Sequence, residues 1–514
     1  MNTPIKYKIT LVISFIFLCS ISIFGISLVW SFMNTGAERA SILHLPIESV
    51  DVYLPKIEWS SLENPGRPME KQTLKEIQKD YLNAWHIKNI AYQENSPYGV
   101  KDYYTDSVQK NLHNTINYNK RHNINVQTTT LFHNPKLEFY SADGQLIAFT
   151  DENVLEYQRT FKDKKFVFET ELVSTYKVMM LLEDGFWRIR HLVKEQNTGT
   201  LPEQKHSSFA RVKNDTILLQ GKPFIINGIN YYPQKTPWDM FGKAFDTDII
   251  DKDFELINSL GLNTIRIFVQ YEDFGKANII EEKLKKLKNT IDLAKKHNLK
   301  VIVTLFDFYG DYAVQDWTLT HRHAEKIVST FKNNTTIIAW DVKNEPNLDF
   351  ENRGKRNVLK WLEYIIKEIR KYDPNHLITI GWSNFQAAQN LTDYVDIVSF
   401  HHFNDNFEND LATLQKTTTK PILLEEFGVP SYNSIWNLFL GHSKESQATY
   451  HKKMQAYFSK HNISHLSWTL YDFKKIPTSV AGRMPWKRNK QKHFGFIDKN
   501  GKKKPSYQYI SSER

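Results

Sequence analysis

From about residue 208 onward, short apolar runs alternate with amphipathic helical stretches until eight strand candidates have passed. The strands are Phe224–Asn230, Thr264–Val269, Lys300–Phe306, Ile337–Val342, Leu377–Gly381, Asp396–Phe400, Pro421–Glu426 and His465–Leu470. Helical stretches such as Asp248–Leu260, Glu281–Lys296, Ala324–Lys332, Asn357–Lys371 and Glu445–Ser459 lie between them. Such alternation calls for parallel strands joined by crossover helices. Eight of these units in roughly 250–300 residues are what a (β/α)8 TIM barrel closes from, so an α/β fold of that type is expected over 208–514. The connection after the eighth strand is long and carries Asp472, Arg483, Trp486 and a basic run, Lys487 to Lys492. It reads either as a solvated loop or as a lid over a cleft.

A chain of 514 residues leaves room ahead of such a barrel, and a second domain is the ordinary expectation at this length. Residues 69–195 read as a small α+β domain. Leu74, Ile77, Tyr81 and Trp85 recur at helical spacing, a second helical stretch covers Val100 to Ile116, and strand-like runs follow at about 125–133, 136–141, 145–162, 166–182 and 186–193. Asp143-Gly144 and Asp184-Gly185 mark hairpin turns. Helices first, then a long-stranded antiparallel sheet closing on Gly185-Phe186-Trp187-Arg188-Ile189, resembles the cone-like fold of the nuclear-transport-factor-2 type. That resemblance implies a spacer or interaction module, since no paired acid and base stands out in it.

Ile9 to Met33 carries no charged residue, and about 20 apolar residues suffice to span a bilayer. Lys6 and Lys8 precede the stretch, whereas Glu38 and Arg39 nearly cancel after it. Residues 1–34 are therefore expected to be a cytoplasmic N-terminus and a transmembrane anchor, with the lipid bilayer as partner of residues 9–33. A cleaved signal peptide is the alternative, but its apolar region is typically only about 7–15 residues. The single cysteine, Cys19, follows Leu18, where a lipoprotein signal requires a small residue. One cysteine also excludes an intrachain disulfide and a cysteine-built metal site. Residues 35–68, interrupted by Pro46, Pro55, Pro65 and Pro68, read as a linker off the membrane. The net charge of +10 comes without a basic helix or nucleic-acid motif, so no nucleic-acid partner is expected.

In a barrel of this kind the chemistry gathers at the C-terminal strand ends. The fourth strand ends Trp340-Asp341-Val342-Lys343-Asn344-Glu345-Pro346, and the seventh ends Leu424-Glu425-Glu426-Phe427-Gly428. Glu345 and Glu426 are 81 residues apart, which leaves room for three intervening βα units. Two carboxylates across one barrel mouth suit glycoside cleavage, which needs a proton donor and a nucleophile.

With these residues in place, 208–510 resembles glycoside hydrolase clan A, closest to families 5 and 2. The resemblance implies that Glu345, of Asn-Glu-Pro, is the acid/base and Glu426 the nucleophile of a retaining double displacement. It implies that ionised Glu426 raises Glu345, and that no metal or cofactor takes part. Arg266, in Thr264-Ile265-Arg266-Ile267-Phe268, is similar to the arginine that holds the nucleophile ionised, although such an Arg also fits a structural ion pair. Asn344 is similar to the residue that bonds the sugar 2-hydroxyl, His401 to the histidine of the sixth strand, and Trp468 to the platform beneath the cleaved sugar. Tyr231 and Tyr232, with Asn230, after the first strand, Asp307 and Phe308 after the third, and Trp382 after the fifth are further expected subsite linings. The sequence departs from the family 5 pattern at Phe403, where a tyrosine usually bonds the nucleophile; Tyr231, Tyr232 or His402 are the residues that could supply the missing hydrogen bond. Between the neighbours Glu425 and Glu426, strand alternation is expected to turn one to the mouth and the other to the helix layer. An inward set of Ile422 and Leu424 gives the mouth to Glu426, unless a bulge shifts the register.

The substrate expected from this resemblance is a β-linked polysaccharide or oligosaccharide. A transglycosylase using the same covalent intermediate, and a membrane-tethered glycan-binding protein with a degenerate barrel, are the alternatives. The charge asymmetry around 9–33 predicts that protease added to intact spheroplasts digests the bulk of the chain. Complete protection would reverse the orientation, and a mature N-terminus near residue 38 would replace the anchor by a cleaved signal.

Overall fold

The computed structural model describes residues 14–15, 53–63, 67–196, 209–404, 406–432, 442–481 and 485–511. The chain divides into two units, Met1–Asn197 and Thr198–Arg514.

In the first unit, helices α1 (Lys71–Glu94), α2 (Val100–Tyr103) and α3 (Asp106–Arg121) precede four long antiparallel strands, β2 (Ile124–Tyr140), β3 (Leu146–Lys162), β4 (Lys165–Glu183) and β5 (Phe186–Gln196). The two runs expected at 125–133 and 136–141 are one strand, which passes Pro135 through register shifts. Ile77, Tyr81 and Trp85 of α1 are buried as the spacing requires. The closing motif is tied to the same helix, since the Trp187 amide donates to Asp80 at 3.0 Å. Between them lies a sealed polar chain. Asp151 accepts from Tyr81 at 2.6 Å and meets His133 Nδ1 at 2.6 Å, while His133 Nε2 reaches Thr130 at 2.8 Å.

Part of the expected linker belongs to this unit. β1 (Lys56–Ile57) pairs with β2 in parallel, the Glu58 amide donates to the His133 carbonyl at 3.0 Å, and Tyr53 is buried against the core. Prolines at 55 and 65 break helix, but they do not prevent a two-residue edge strand. The expected anchor, residues 9–33, lies outside the described residues apart from Ser14 and Phe15. Among the described residues no helix is long and apolar enough to cross a membrane.

The second unit opens with a three-stranded sheet not foreseen in the sequence: β6 (Arg211–Lys213), β7 (Thr216–Leu219) and β8 (Lys222–Pro223). Its turns, Asn214-Asp215 and Gln220-Gly221, place Asn214, Gln220 and Gly221 at positive φ, as tight hairpins require. Eight parallel strands then close into a barrel. They are β9 (Asn227–Asn230), β10 (Thr264–Gln270), β11 (Lys300–Asp307), β12 (Ile337–Asn344), β13 (Leu377–Trp382), β14 (Val398–His402), β15 (Ile422–Phe427) and β16 (Ser464–Ser467), with β16 paired back to β9. All eight expected strands are present. The shortest pair seals the ring because Gly228 lets β9 approach β10: a Cβ there would lie 2.1 Å from the Thr264 carbonyl oxygen.

Outer helices α4 (Thr247–Ser259), α5 (Glu281–Lys296), α6 (Trp317–Phe331) and α7 (Lys355–Tyr372) form on their apolar stripes. α7 buries Val358, Trp361, Leu362, Ile365 and Ile369, an i, i+3, i+4, i+7 stripe. Each such side chain contributes roughly 1.5–3 kcal/mol on burial. α4 starts at Asp246, whose carboxylate accepts from the amides of Asp248 and Ile249. Inside the ring, Ile217, with Val212 and Leu219 against it, packs with Ile226, Ile302, Ala339, Leu377, Ile397, Leu423 and Leu466. The short sheet therefore plugs the barrel at the end opposite the strand C-termini. Because Leu423 belongs to this interior cluster, the inward set of β15 is Leu423 and Glu425, not Ile422 and Leu424.

Because each unit has its own core, a chain beginning at Ser207 is expected to keep its near-ultraviolet circular dichroism and to unfold in one cooperative transition. Loss of fixed aromatic signals in that chain would show that the first unit is needed to fold the barrel.

Candidate active site

Strand alternation decides which side chains meet at the barrel's C-terminal end. Asn230 (β9), Arg266 (β10), Thr304 (β11), Asp341 (β12), Ser399 and His401 (β14) and Glu425 (β15) all point inward, and all are buried. Arg266 lies at their centre with no exposure. Its Nη2 donates to Asp341 Oδ2 at 2.6 Å and to Asn344 Oδ1 at 2.9 Å, and its Nη1 donates to Glu426 Oε1 at 2.7 Å and Asn230 Oδ1 at 3.1 Å. Nε lies 3.4 Å from Glu425 Oε1. Burial alone would lower the guanidinium, but Glu425, Asp341 and Glu426 hold it above its ordinary value and firmly charged.

Room for this cluster comes from a missing side chain. A Cβ on Gly381 would stand 2.7 Å from Glu425 Oε2, 2.8 Å from Arg266 Nη2 and 3.2 Å from His401 Nε2. Burial pushes the Glu425 carboxyl up to about 7, with Asp341 adding to the rise while Arg266, His401 and Ser399 oppose it. The expectation that Glu425 faces the helix layer is therefore wrong. It continues the inward set from Leu423, and a register shift between Leu424 and Phe427 brings Glu426 inward as well. The bulge places both neighbours on Arg266, with Glu425 beneath and Glu426 at the mouth.

Glu345 reaches the mouth by a different device. It ends β12 at φ 48°, ψ 46°, a left-handed conformation that costs a non-glycine residue about 1–2 kcal/mol. The following Pro346 opens a short helical turn, Pro346–Asp349, where its fixed φ suits the first position. The Glu345 amide donates to the Gly381 carbonyl at 2.6 Å. Its carboxylate meets His401 Nδ1 at 2.9 Å, and Glu426 Oε2 lies 3.6 Å from the same nitrogen. Those two carboxylate oxygens are therefore no farther apart than the sum of these distances, 6.5 Å.

The electrostatics of the free site run opposite to the expectation that Glu426 lifts Glu345. Burial would raise Glu345, but the His401 hydrogen bond, with the charges of His401, Arg266 and Lys343, brings it below the usual range. Glu426 is raised by burial and by Glu345, against His401 and Arg266. Burial would lower His401, yet Glu426 and Glu345 raise it. Glu345, Glu426 and His401 thus act on one another, with the histidine between the two carboxylates.

A cleft of about 420 Å³ opens above this cluster. Tyr232, Trp238, Phe268 and Trp468 form one wall, Asp307, Lys343, Asn344 and Asp349 another, and Glu345 and Glu426 share the floor. Tyr232 stacks on Phe268 at 5.1 Å with an interplanar angle of 11°. Phe308, Leu348 and Phe403 stand exposed at the rim. Val480 and Gln491 also line the cleft, so the connection after β16 borders it, as the lid reading requires.

Tyr232, Asp307, Asn344 and Trp468 thus lie where substrate contact was expected. Arg266 and His401 lie beneath the cleft and hold its carboxylates. Three expected linings are elsewhere, the first being Asn230, which is fully buried beneath the cleft and accepts from Arg266 at 3.1 Å. Tyr231 faces the helix layer, where its hydroxyl donates to Asp253 at 2.8 Å. Trp382 follows the inward Gly381, so it points outward and packs 6.1 Å from Phe350. His402 likewise points away, toward Asp410 at 3.2 Å. The hydroxyl missing at Phe403 is therefore not supplied by Tyr231 or His402, and Arg266 and His401 orient Glu426. Asp341, Lys343 and Trp238 were not expected from the sequence, and a register shift between Asp341 and Asn344 keeps simple alternation from marking Lys343. Among the described residues no group of His, Cys, Asp and Glu is arranged to hold a metal ion.

Burial pushes Asp307 up to about 7. The folded chain therefore binds a proton that the unfolded chain, with a carboxyl near about 3.9, has released. The resulting stability is complete below about pH 4 and is lost progressively as pH rises to about 7, by about 1.4 kcal/mol for each pH step of one. Asp307→Asn is expected to flatten that decline, so its melting temperature should gain on the native protein's between pH 4 and pH 8. Parallel pH curves in a thermal melt would contradict the assignment.

Residues 219–474 match the family model described as Cellulase (glycosyl hydrolase family 5), a span that contains both mouth glutamates. Beta-glucuronidase of Chlorocebus aethiops is 24% identical over 298 residues, 53% of this chain and 42% of its own length. Mannan endo-1,4-beta-mannosidase A of Emericella nidulans is 25% identical over 273 residues, 41% of this chain and 70% of its own. Among solved structures, the exo-beta-1,4-mannosidase Op5Man5 from Opitutaceae bacterium strain TAV5 aligns with a TM-score of 0.46 and 20% identity, covering 56% of this chain and 58% of that one. The chain spans less than half the length of the glucuronidase it matches.

Proposed function

Residues 219–474 are a glycosyl hydrolase family 5 domain, and from that premise we propose that the chain hydrolyses a β-linked glycan with retention of configuration, Glu426 acting as nucleophile and Glu345 as acid/base. The observation that carries the reading is the meeting of both carboxylates at one His401 nitrogen, with one oxygen of each no farther apart than 6.5 Å, a bound that admits the retaining separation. Retaining enzymes hold their carboxyls about 5–5.5 Å apart, whereas inverting ones leave about 6.5–9.5 Å for a water.

In the first step Glu426 attacks the anomeric carbon, the glycosidic C–O bond breaks, and Glu345 gives its proton to the leaving oxygen. That proton comes from His401, which rests against Glu345 in the free site. A glycosidic oxygen at Glu345 draws it across the 2.9 Å hydrogen bond. Once Glu426 is esterified its charge is gone, and Glu345 takes a proton from the water that attacks the anomeric carbon. Asn344 holds its amide oxygen on Arg266, which leaves its NH2 to donate to a sugar hydroxyl. The mannan- and glucuronide-cleaving names of the relatives support a β-glycoside substrate, and the intact charge cluster speaks against a degenerate barrel. In our reading the charge-free stretch 9–33 supports an activity outside the cytoplasmic membrane.

Glu426→Ala should reduce turnover of an activated aryl β-glycoside by several orders of magnitude, and azide should restore it with an inverted glycosyl azide as product. Glu425→Gln should lower stability and rate without azide rescue. Retention of wild-type turnover in Glu426→Ala would remove the assignment, and rescue in Glu425→Ala instead would move the nucleophile by one residue.

A further inference from the structure

We infer that Lys343 and Asp307 are a hydroxyl clamp: a facing donor and acceptor on one cleft wall that bind two adjacent hydroxyls of the cleaved sugar and so set which sugar is accepted. The inference rests on the hydrolase reading above but concerns residues that reading does not use. On β12 the residues facing outward are Trp340, whose indole nitrogen donates to Asp373 at 2.8 Å, and Val342. A register shift between Asp341 and Asn344 lets Lys343 and Asn344 both reach the cleft just before the acid/base. Its side chain is 5% exposed, yet it lines the cleft. An apolar residue would fill a barrel wall without the cost of burying an ammonium.

The Lys343 Nζ donates to the Asn344 carbonyl at 3.2 Å and lies 3.4 Å from Asp349 Oδ2. An ammonium has three donors, so one remains for the cleft. Asp349 is itself fixed by the Tyr312 hydroxyl. Asp307, at the end of the neighbouring β11, is 4% exposed and lines the same wall. Its carboxyl accepts no hydrogen bond from a described residue. Lys343 is the foremost charge acting to lower it. Tyr232, 1% exposed, lines the same cleft beside Asp307.

A buried wall that offers one unspent charged donor and one unspent acceptor suits a pair of neighbouring hydroxyls, since each hydroxyl both donates and accepts. It does not suit a sugar carboxylate. Asp307, Asp349 and Glu345 already surround the Lys343 charge, so a uronate would bring a further negative charge to a wall with no uncompensated positive one.

The test uses the full chain and 4-nitrophenyl β-D-glucoside and β-D-mannoside, their 2-, 3-, 4- and 6-deoxy analogues, and the β-glucuronide. Lys343→Met and Asp307→Asn should each lower kcat/KM on the parent sugar about 10- to 100-fold, the range for a hydrogen bond to a charged group. Two neighbouring deoxy positions should cost the native protein a similar factor, and Lys343→Met should show no further loss at one of them. Near-ultraviolet circular dichroism checks that each variant is folded, and Asp307→Asn carries the test if Lys343→Met is not. Undiminished deoxy losses in the folded variants, or a native preference for the glucuronide, would overturn the clamp. Binding of β-1,4-linked gluco- and manno-tetrasaccharides, read from tryptophan fluorescence, separates the two proposals. Binding weakened by the variants but without turnover sinks hydrolysis and keeps the clamp, turnover unaffected by the variants does the reverse, and neither binding nor turnover sinks both.

Discussion

A single guanidinium sealed from water holds this active site together. Arg266 touches carboxylates from β12 and β15 and side-chain oxygens from β9 and the end of β12. Four strands of a ring, its own included, are thereby tied across the interior. Isolated, such a charge could not be buried; with one partner removed, a pair of this kind loses about 3–5 kcal/mol because the other charge stays behind unpaired. The cluster also has more acids than bases, with Asp341, Glu425 and Glu426 around one arginine. Burial first, and Asp341 after it, push Glu425 up to about 7 against the pull of Arg266.

Much of this was legible in the sequence because barrels obey two simple periods. The strand–helix alternation supplied all eight strands, and the ends of the fourth and seventh supplied Glu345 and Glu426. Strict alternation would also have sorted the flanking residues. Asn230 faces Arg266, so Tyr231 cannot; Gly381 faces the cluster, so Trp382 cannot; His401 faces in, so His402 faces Asp410. Expecting both Tyr231 and Tyr232 in the cleft set that rule aside. Glu425 and Glu426 are the opposite case, where the rule itself gives way at a bulge. No local composition marks the bulge, because it arises from strands of unequal stagger closing a ring. The plugging sheet at 211–223 was hidden by its short strands, although its Asn-Asp and Gln-Gly turns were visible signals.

The proton arrangement could not be read from residue types at all. Two glutamates across a mouth suggest that one charge lifts the other, and that reasoning omits the histidine between them. His401 Nδ1 lies 2.9 Å from one carboxylate and 3.6 Å from the other, within reach of both. Its hydrogen bond goes to Glu345, and that carboxyl is the one held below the usual range.

Gly381 gives that arrangement an unusual kind of brittleness. Atoms of Glu425, Arg266 and His401 converge on the space where its side chain would begin, so the charged centre fills the room a methyl group would need. An added carbon at 381 has nowhere to go except into the ion network. The smallest residue in the barrel wall therefore constrains the future variation of this site more tightly than the residues that carry out its chemistry.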